Sequence, residues 1–390
     1  MQQAADYVAS AKPVAFKPAS APATINQAAV NNPRLYREVF GFFYASSLAD
    51  PTIGYQSWNF DLLSTVAYFG VHVDAWSGVL VSDSGLYIWN NPASAVPALI
   101  RTAHAHGVKV ILTLIMMDTS PGTPSMCAAL QFSDATVQAA VAQVKAKGID
   151  GINVDYETSN TTCYNRRTGA PESSQSLFTA FIRNLRAALP AGSYLSVDTY
   201  GGSAGFRSGS VYSGFFDIGA LAPYVDSFFV MAYDMEYSNW DSAPLNCAKF
   251  CLSPTAPLST YEFNDQRVSA EYRAVVPASK VLMGVPYYGR KGCVAGTPSN
   301  APPNAVATGV AADGYLDASA ENGYSGNSDY HIHRDAAGGV RWDTFTSSSA
   351  SCTRELYWDD VTSLGNKYDL VINDHLRGIG IWSLSYGGGR

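Results

Sequence analysis

Eight short runs of β-branched and aromatic residues alternate along the chain with amphipathic stretches of helical periodicity. Eight such strand–helix units in a chain of 390 residues favour a closed α/β fold, the (β/α)8 or TIM barrel. A doubly wound sheet would need a glycine-rich turn after its first strand, and no G-x-G-x-x-G follows Tyr44. The predicted strands are Val39–Tyr44, Leu63–Val71, Val108–Ile115, Gly151–Tyr156, Tyr194–Thr199, Ser227–Tyr233, Lys280–Pro286 and Gly378–Leu384. The predicted helices include Ala93–His106, Ala135–Lys147, Ser176–Leu189, Asn264–Val275 and Asp360–His375.

Two segments depart from this alternation. Residues 1–34 are rich in Ala, Pro, Gln and Asn without periodicity, which predicts a flexible N-terminal tail before a barrel domain spanning 35–390. Residues 291–357, between the seventh and eighth strands, are rich in Gly, Ser, Asn and Tyr and show no clear helix. We expect them to form a loop-rich excursion at the carboxyl-terminal end of the barrel, with short strands around Gly338–Phe345.

The fourth predicted strand carries polar residues at alternate positions. It reads DGINVDYE from Asp150 to Glu157, so Asn153, Asp155 and Glu157 should point into the barrel. Burying such groups is costly unless they bond one another, and a satisfied structural network is one interpretation. Adjacent inward carboxyls also raise each other's pKa, and Glu157 ends the strand at the face where barrel active sites lie. The pattern therefore favours acid–base catalysis.

This segment resembles the DxxDxDxE signature of glycoside hydrolase family 18, which includes chitinases and endo-β-N-acetylglucosaminidases. Other segments resemble motifs of the family in the same order along the chain, so the likeness covers roughly residues 37–386. They are Met231-Ala-Tyr233-Asp234 for M-x-Y-D, Gly284-Val-Pro-Tyr-Tyr288-Gly-Arg290 for G-x-P-x-Y-G-R, and Trp382 for the eighth-strand tryptophan.

The resemblance implies a retaining glycosidase that cleaves β-linked N-acetylglucosamine glycans by substrate-assisted catalysis. Glu157 would act as general acid and then as general base, while the 2-acetamido carbonyl of the substrate attacks the anomeric carbon. Asp155 would orient the acetamido group, and Tyr233 would hydrogen-bond its oxygen. Asp234 would contact the sugar, and Trp382 would lie under the reacting ring.

Asn153 departs from the family pattern, which has an aspartate there. An amide cannot ionise, although it can still donate an N–H to Asp155. The D-G-I-N-V-D-Y-E form is closest to the peptidoglycan-acting branch of the family. The third strand also lacks the S-x-G-G of many chitinases, which favours a shorter cleft. Chitin-like chains, peptidoglycan and N-glycan cores stay open as substrates, and a non-catalytic lectin on the same barrel is the alternative that Glu157 argues against.

Further residues near strand ends are candidates for binding the glycan, because sugar faces stack on aromatic rings. They are Met231, Tyr44, Trp240, Tyr287, Arg290 and Tyr200. Met231 and Arg290 are included because they belong to the motifs that resemble the family. Most aromatic residues belong to a core, and that is the alternative for each of the four aromatic candidates. Asp198, close to Tyr200, is a further candidate for a sugar contact. His331 and His333 lack an identifiable third ligand, and we expect neither a metal nor a cofactor.

The net charge of −7 gives no electrostatic basis for binding nucleic acid or an anionic membrane. We expect a monomer whose partner is a polysaccharide or oligosaccharide. Six cysteines suggest disulfides and a secreted, extracellular protein, with free thiols as the alternative. Chain proximity gives the pairs Cys247–Cys251, Cys127–Cys163 and Cys293–Cys352. The N-terminus has no signal-peptide pattern, so the sequence would begin after a cleavage site.

Overall fold

The computed structural model describes residues 35–118, 124–158, 162–205, 215–235, 238–239 and 251–388. Eight parallel strands in these ranges close into a barrel in which each strand pairs with its neighbours in chain order, and the last pairs with the first. The strands are β1 (Glu38–Tyr44), β2 (Thr65–His72), β3 (Lys109–Asp118), β4 (Gly151–Thr158), β5 (Tyr194–Tyr200), β6 (Ser227–Met231), β7 (Val281–Pro286) and β8 (Gly378–Trp382). The predicted (β/α)8 fold is confirmed. The predicted tail, residues 1–34, lies outside the described residues.

Helices follow most of the strands, and side-chain caps set where several of them begin. Asp83, Ser173 and Asn264 each accept a hydrogen bond from a backbone N–H in the first turn of the helix they precede. The helix that ends at Lys147 is closed by Gly148, whose φ of 64° lies in the left-handed region that glycine tolerates. The described helices are Ser84–Asn90, Val96–Ala105, Ser125–Gln131, Ser133–Lys147, Ser174–Ala188, Ile218–Leu221, Asp265–Val275, Tyr315–Ala320, Val361–Asn373 and Leu384–Gly387.

The barrel interior is filled by side chains at its amino-terminal end and lower half. Phe229 contacts Phe42 at 4.7 Å between ring centroids and Phe40 at 5.4 Å. A Cβ at Gly380 would lie 2.0 Å from the Phe229 ring, so only glycine fits beside it. Below these rings, Glu38 accepts hydrogen bonds from several side chains, including Tyr194 Oη at 2.8 Å. Side chains therefore fill the barrel at the amino-terminal ends of the strands, which leaves the carboxyl ends as the side from which a ligand can enter.

The segment between β7 and β8 is more regular than its composition suggested. It forms a five-stranded antiparallel sheet, and the helix Tyr315–Ala320 lies within it. Its strands are Tyr288–Val294, Ala307–Gly314, Asn327–Arg334, Arg341–Ser347 and Cys352–Trp358. Leu356, Trp358 and Phe345 form a small apolar core under one face of the sheet. Trp342, Tyr357 and Val294 belong to a second apolar cluster on the opposite face. The strands Ala307–Gly314 and Asn327–Arg334 are mostly exposed, and their polar residues resemble loop composition in the sequence. We call this segment, residues 288–358, the insertion sheet.

Two of the predicted disulfides are present. Cys127–Cys163 joins the helix Ser125–Gln131 to a hairpin that follows β4, and Cys293–Cys352 joins adjacent strands of the insertion sheet. Cys251 is also disulfide-bonded, while Cys247, its predicted partner, lies outside the described residues. The part of the chain that the structure describes contains no helix with the length and apolar character of a membrane span.

Candidate active site

Strand β4 carries the polar residues of the site into the barrel, as its alternation predicted. Asn153 is fully buried and Asp155 is 3% exposed, while Glu157 is partly exposed at the mouth. The intervening Ile152 and Val154 pack into the layer between the strands and the helices. The strand places the three polar side chains one above another, with Glu157 nearest to solvent.

Asn153 lies in a hydrogen-bonded row that crosses from β4 to β5. Its Nδ2 donates to Asp198 Oδ2 at 2.8 Å, and Ser196 Oγ donates to its Oδ1 at 2.6 Å. The sequence had offered Asp155 as the acceptor for this amide, and that expectation is wrong. The register places Asn153 directly beside Ser196, which donates to its amide oxygen and leaves the amide nitrogen for Asp198.

Three carboxyls share this interior, and burial is the main influence on each. Burial raises the pKa of Asp155 well above its usual value, and the neighbouring charges of Glu157 and Asp198 raise it further. Burial also raises the pKa of Glu157, although a hydrogen bond from Tyr200 opposes that shift. The pKa of Asp198 is raised by burial and lowered in part by the bond from Asn153. Burial and mutual repulsion thus favour the protonated forms of these carboxyls.

Two tyrosines complete the polar wall. Tyr200, predicted to contact sugar, is placed at the end of β5, where its hydroxyl hydrogen-bonds Glu157. Tyr233, just after β6, is buried enough that its pKa is raised well above 10, and the charges of Asp155, Asp198 and Glu157 act in the same direction. Its hydroxyl therefore stays protonated and can donate to an oxygen placed in the mouth.

An aromatic cluster forms the opposite side of the mouth. Trp382, at the end of β8, is partly exposed and is held edge-on by Phe69 at 4.6 Å, Phe42 at 5.3 Å and Tyr44 at 5.6 Å. Met231 packs against the same group. Rings packed in this way fix the indole plane, which leaves an apolar face for a sugar ring to stack upon.

An ion pair ties the insertion sheet to the rim of the barrel. Arg290, in the first strand of that sheet, donates to both oxygens of Asp234, with Nη2 at 2.9 Å from Oδ1 and 2.7 Å from Oδ2. Asp234 has a φ of 53°, a conformation that turns the chain sharply after Tyr233. Tyr44 Oη lies 3.1 Å from Tyr386 Oη on the same rim. The predicted substrate-binding pair Asp234 and Arg290 thus forms a fixed, partly exposed edge of the mouth.

Tyr287 is not brought to the mouth. Its ring lies in the outer layer at 8% exposure, with its hydroxyl 3.2 Å from that of Tyr368. The reason is the alternation of β7, in which Gly284 faces the interior and odd-numbered positions face the helices. Tyr288, rather than Tyr287, lies beside the residues of the mouth. Its ring centroid is 6.2 Å from that of Tyr233 and 6.1 Å from that of Tyr386. Counting alternate positions from Gly284 could have identified Tyr288 as a residue of the mouth. Tyr386 follows the last strand, and no motif or alternation in the sequence pointed to it.

The two histidines considered as metal ligands lie on the strand Asn327–Arg334 of the insertion sheet. Trp240 is outside the described residues. His333 stacks on Trp342 at 4.0 Å in the insertion sheet, and His331 pairs with Asp329. Across the ranges that the structure covers, no three His, Cys, Asp or Glu side chains are grouped so that they could hold a metal ion.

Comparisons with known proteins agree with this geometry. The model of Glycosyl hydrolases family 18 matches residues 62–387. A putative sporulation-specific glycosylase of Bacillus subtilis is 27% identical over 252 residues, which cover 63% of this chain and 49% of that protein. Chitinase A1 of Niallia circulans is 26% identical over 65% of this chain and 38% of its own length. The chain thus spans about half or less of these curated relatives.

Solved structures show the same fold. A group IV chitinase of Ostrinia furnacalis has a TM-score of 0.71 at 19% identity, covering 90% of this chain and 93% of its own. The spore cortex-lytic enzyme SleL of Bacillus cereus has a TM-score of 0.65 at 16% identity, covering 90% of this chain and 71% of its own. The family match extends from before β2 to beyond β8 and so includes β4 and every other element of the mouth except β1. The chain therefore belongs to the glycosyl hydrolases of family 18.

Proposed function

We propose that the protein is a retaining glycosidase that cleaves β-linked N-acetylglucosamine glycans by substrate-assisted catalysis. The observation that carries this proposal is the column on β4, where the partly exposed Glu157 stands above the buried Asp155. Burial raises the pKa of Glu157, which favours the protonated form that a general acid needs. Tyr233 and Trp382 face the same mouth and supply a hydroxyl donor and an apolar platform.

Each group has a defined task in this reaction. Glu157 protonates the glycosidic oxygen, and the acetamido carbonyl of the bound sugar attacks the anomeric carbon from the opposite face. Asp155 accepts the acetamido N–H and stabilises the positive charge that develops on the cyclic intermediate. Tyr233 donates to the acetamido oxygen. Glu157, now a carboxylate, then takes a proton from the water that opens the intermediate, and the anomeric configuration is retained.

Chitin or chitooligosaccharides are the first substrates that we propose, and one curated relative is named as a chitinase. Peptidoglycan is the second candidate. Asn153 in the β4 signature and the similarity to a putative sporulation-specific glycosylase favour it. The disulfides Cys127–Cys163 and Cys293–Cys352 support a secreted protein, because such bonds persist in oxidising compartments. We propose that the enzyme acts as a monomer.

The test is a panel of three substrates: chitooligosaccharides, purified peptidoglycan and a high-mannose glycopeptide. Products are identified by mass spectrometry, and Glu157→Gln serves as the matched control because it preserves shape while removing the proton donor. The proposal is supported if the wild type releases N-acetylglucosamine-terminated products and Glu157→Gln does not. Binding of a glycan without any release by the wild type would instead favour the lectin alternative and refute the enzymatic one.

A further inference from the structure

Asp198 is a buried carboxyl to which the reaction described above assigns no task. It is 2% exposed on β5, and its Oδ2 accepts the hydrogen bond from Asn153. Its other oxygen, Oδ1, is buried without a hydrogen-bond partner among the described residues, and Asp155 Oδ1 is in the same condition. A buried carboxylate oxygen without a donor is costly, and a proton held by the carboxyl removes that cost.

The hydrogen-bonded row fixes which atom of Asp198 can hold a proton. Ser196 donates to the amide oxygen of Asn153, so the amide nitrogen points at Asp198 and occupies Oδ2 as an acceptor. A proton on Asp198 therefore resides on Oδ1. Asn153 itself holds no exchangeable carboxyl proton, because an amide does not ionise in this range. Besides Glu157 on β4, the carboxyl that acts on Asp155 is thus Asp198 on β5.

We propose that Asp198 is a positioning residue that shares one proton with Asp155 and thereby sets the pH range in which Asp155 is an anion. This inference rests on the proposed function for its catalytic meaning. When the acetamido N–H of the substrate donates to Asp155, the shared proton passes from Asp155 to Oδ1 of Asp198. No proton enters or leaves the barrel in this step, and the total charge of the pair is unchanged.

The surroundings of Asp198 support the sharing. The ionisable groups around it are Asp155 and Glu157 from β4, Tyr233 after β6, and Tyr200 two positions further along β5. Among the residues that the structure describes, no cation acts on the pKa of Asp198. The charge of Asp198 raises the pKa of Asp155. Replacing Asp198 with asparagine removes that charge and should therefore lower the pKa of Asp155 in the free protein.

The experiment compares four proteins: the wild type, Asp198→Asn, the exchange variant Asn153→Asp/Asp198→Asn, and Ser196→Ala. The exchange variant keeps one carboxyl and one amide at the two ends of the same hydrogen bond. Ser196→Ala disturbs that row without changing the number of carboxyls. Two quantities are measured: the pH dependence of kcat/KM on chitooligosaccharide and the titration of the Asp155 carboxyl by ¹³C NMR, assigned by its loss in Asp155→Asn.

We expect Asp198→Asn to lower the Asp155 titration by about one pH unit or more, the scale of a coupled pair. The acidic limb of kcat/KM should not move to lower pH, because the wild-type pair already presents an ionised Asp155 to the substrate once it has lost one of its two protons. The exchange variant should return the Asp155 titration toward the wild type, and Ser196→Ala, which keeps every carboxyl, should shift it much less than Asp198→Asn. Asp155 titrating at the same pH in Asp198→Asn as in the wild type would overturn the inference. Because NMR needs no turnover, this outcome is distinct from failure of the proposed function, which would appear as no cleavage by the wild type.

Discussion

Replacing Asp265 with asparagine should stabilise the protein at neutral pH, because Asp265 is the surplus acid of a buried ion cluster. Lys367 is fully buried between two carboxyls, with its Nζ 2.6 Å from Asp359 Oδ2 and 3.6 Å from Asp265 Oδ2. One cation cannot compensate two buried carboxylates. Burial accordingly raises the pKa of Asp265 to about 8 from its usual 3.8.

The sign of the effect follows from proton linkage. The folded protein binds a proton at Asp265 more tightly than the unfolded chain, so stability falls as the pH rises from about 4 toward 8. At 1.36 kcal/mol per pKa unit, the interval between 3.8 and pH 7 corresponds to about 4 kcal/mol. An asparagine stays neutral in both states and avoids this loss. Asp265→Asn should therefore gain about 4 kcal/mol in unfolding free energy at pH 7 and almost nothing near pH 4.

Guanidinium unfolding followed by tryptophan fluorescence at pH 4, 5.5 and 7 measures this difference. Lys367→Met provides a control of opposite sign, since it leaves two buried carboxyls without a cation and should cost about 3–5 kcal/mol at neutral pH. A stability difference between Asp265→Asn and the wild type that stays constant across the three pH values would refute the reasoning, because Asp265 would then titrate alike in both states.

Two further predictions concern the mouth of the barrel. Tyr200→Phe removes the hydrogen bond that lowers the pKa of Glu157, so the alkaline limb of kcat/KM should move to higher pH; a profile identical to the wild type would contradict this role. Tyr288→Phe and Tyr287→Phe form a matched pair of single hydroxyl deletions on adjacent residues. Tyr288→Phe should raise KM or lower kcat severalfold, while Tyr287→Phe should change only the thermal midpoint. Loss of activity in Tyr287→Phe but not in Tyr288→Phe would show that odd-numbered rather than even-numbered residues of β7 face the interior.

The barrel could be predicted because each strand satisfies a local rule. Residues that pack on both the helices and the interior give continuous apolar runs, and the polar positions of β4 stand out against them. The ends of elements were less certain, as with β3, which was predicted to stop at Ile115 and extends to Asp118. β3 is longer than predicted because its last three residues pair with β4. Pairing between segments that are distant in the chain cannot be recognised from the local sequence.

The parts that could not be predicted depend on register and on contacts between distant segments. The bond from Asn153 to Asp198 requires knowing how β4 and β5 align, which neither strand specifies alone. The Asp234–Arg290 ion pair joins residues 56 positions apart. Tyr287 was chosen because it follows a strand at the catalytic face. Counting alternate positions along β7 assigns the interior to even-numbered residues and would have named Tyr288 instead.

Proton donation by Glu157 is tested most directly by comparing leaving groups in Glu157→Gln. The wild type and this variant are assayed on a chitooligosaccharide, whose leaving alcohol needs protonation, and on the matching dinitrophenyl glycoside, whose leaving group does not. We predict a loss of about 10²–10⁴-fold on the first substrate and a much smaller loss in first-turnover release of dinitrophenol. Equal losses on both substrates, or near-normal turnover of the chitooligosaccharide, would contradict the assignment of Glu157 as the acid.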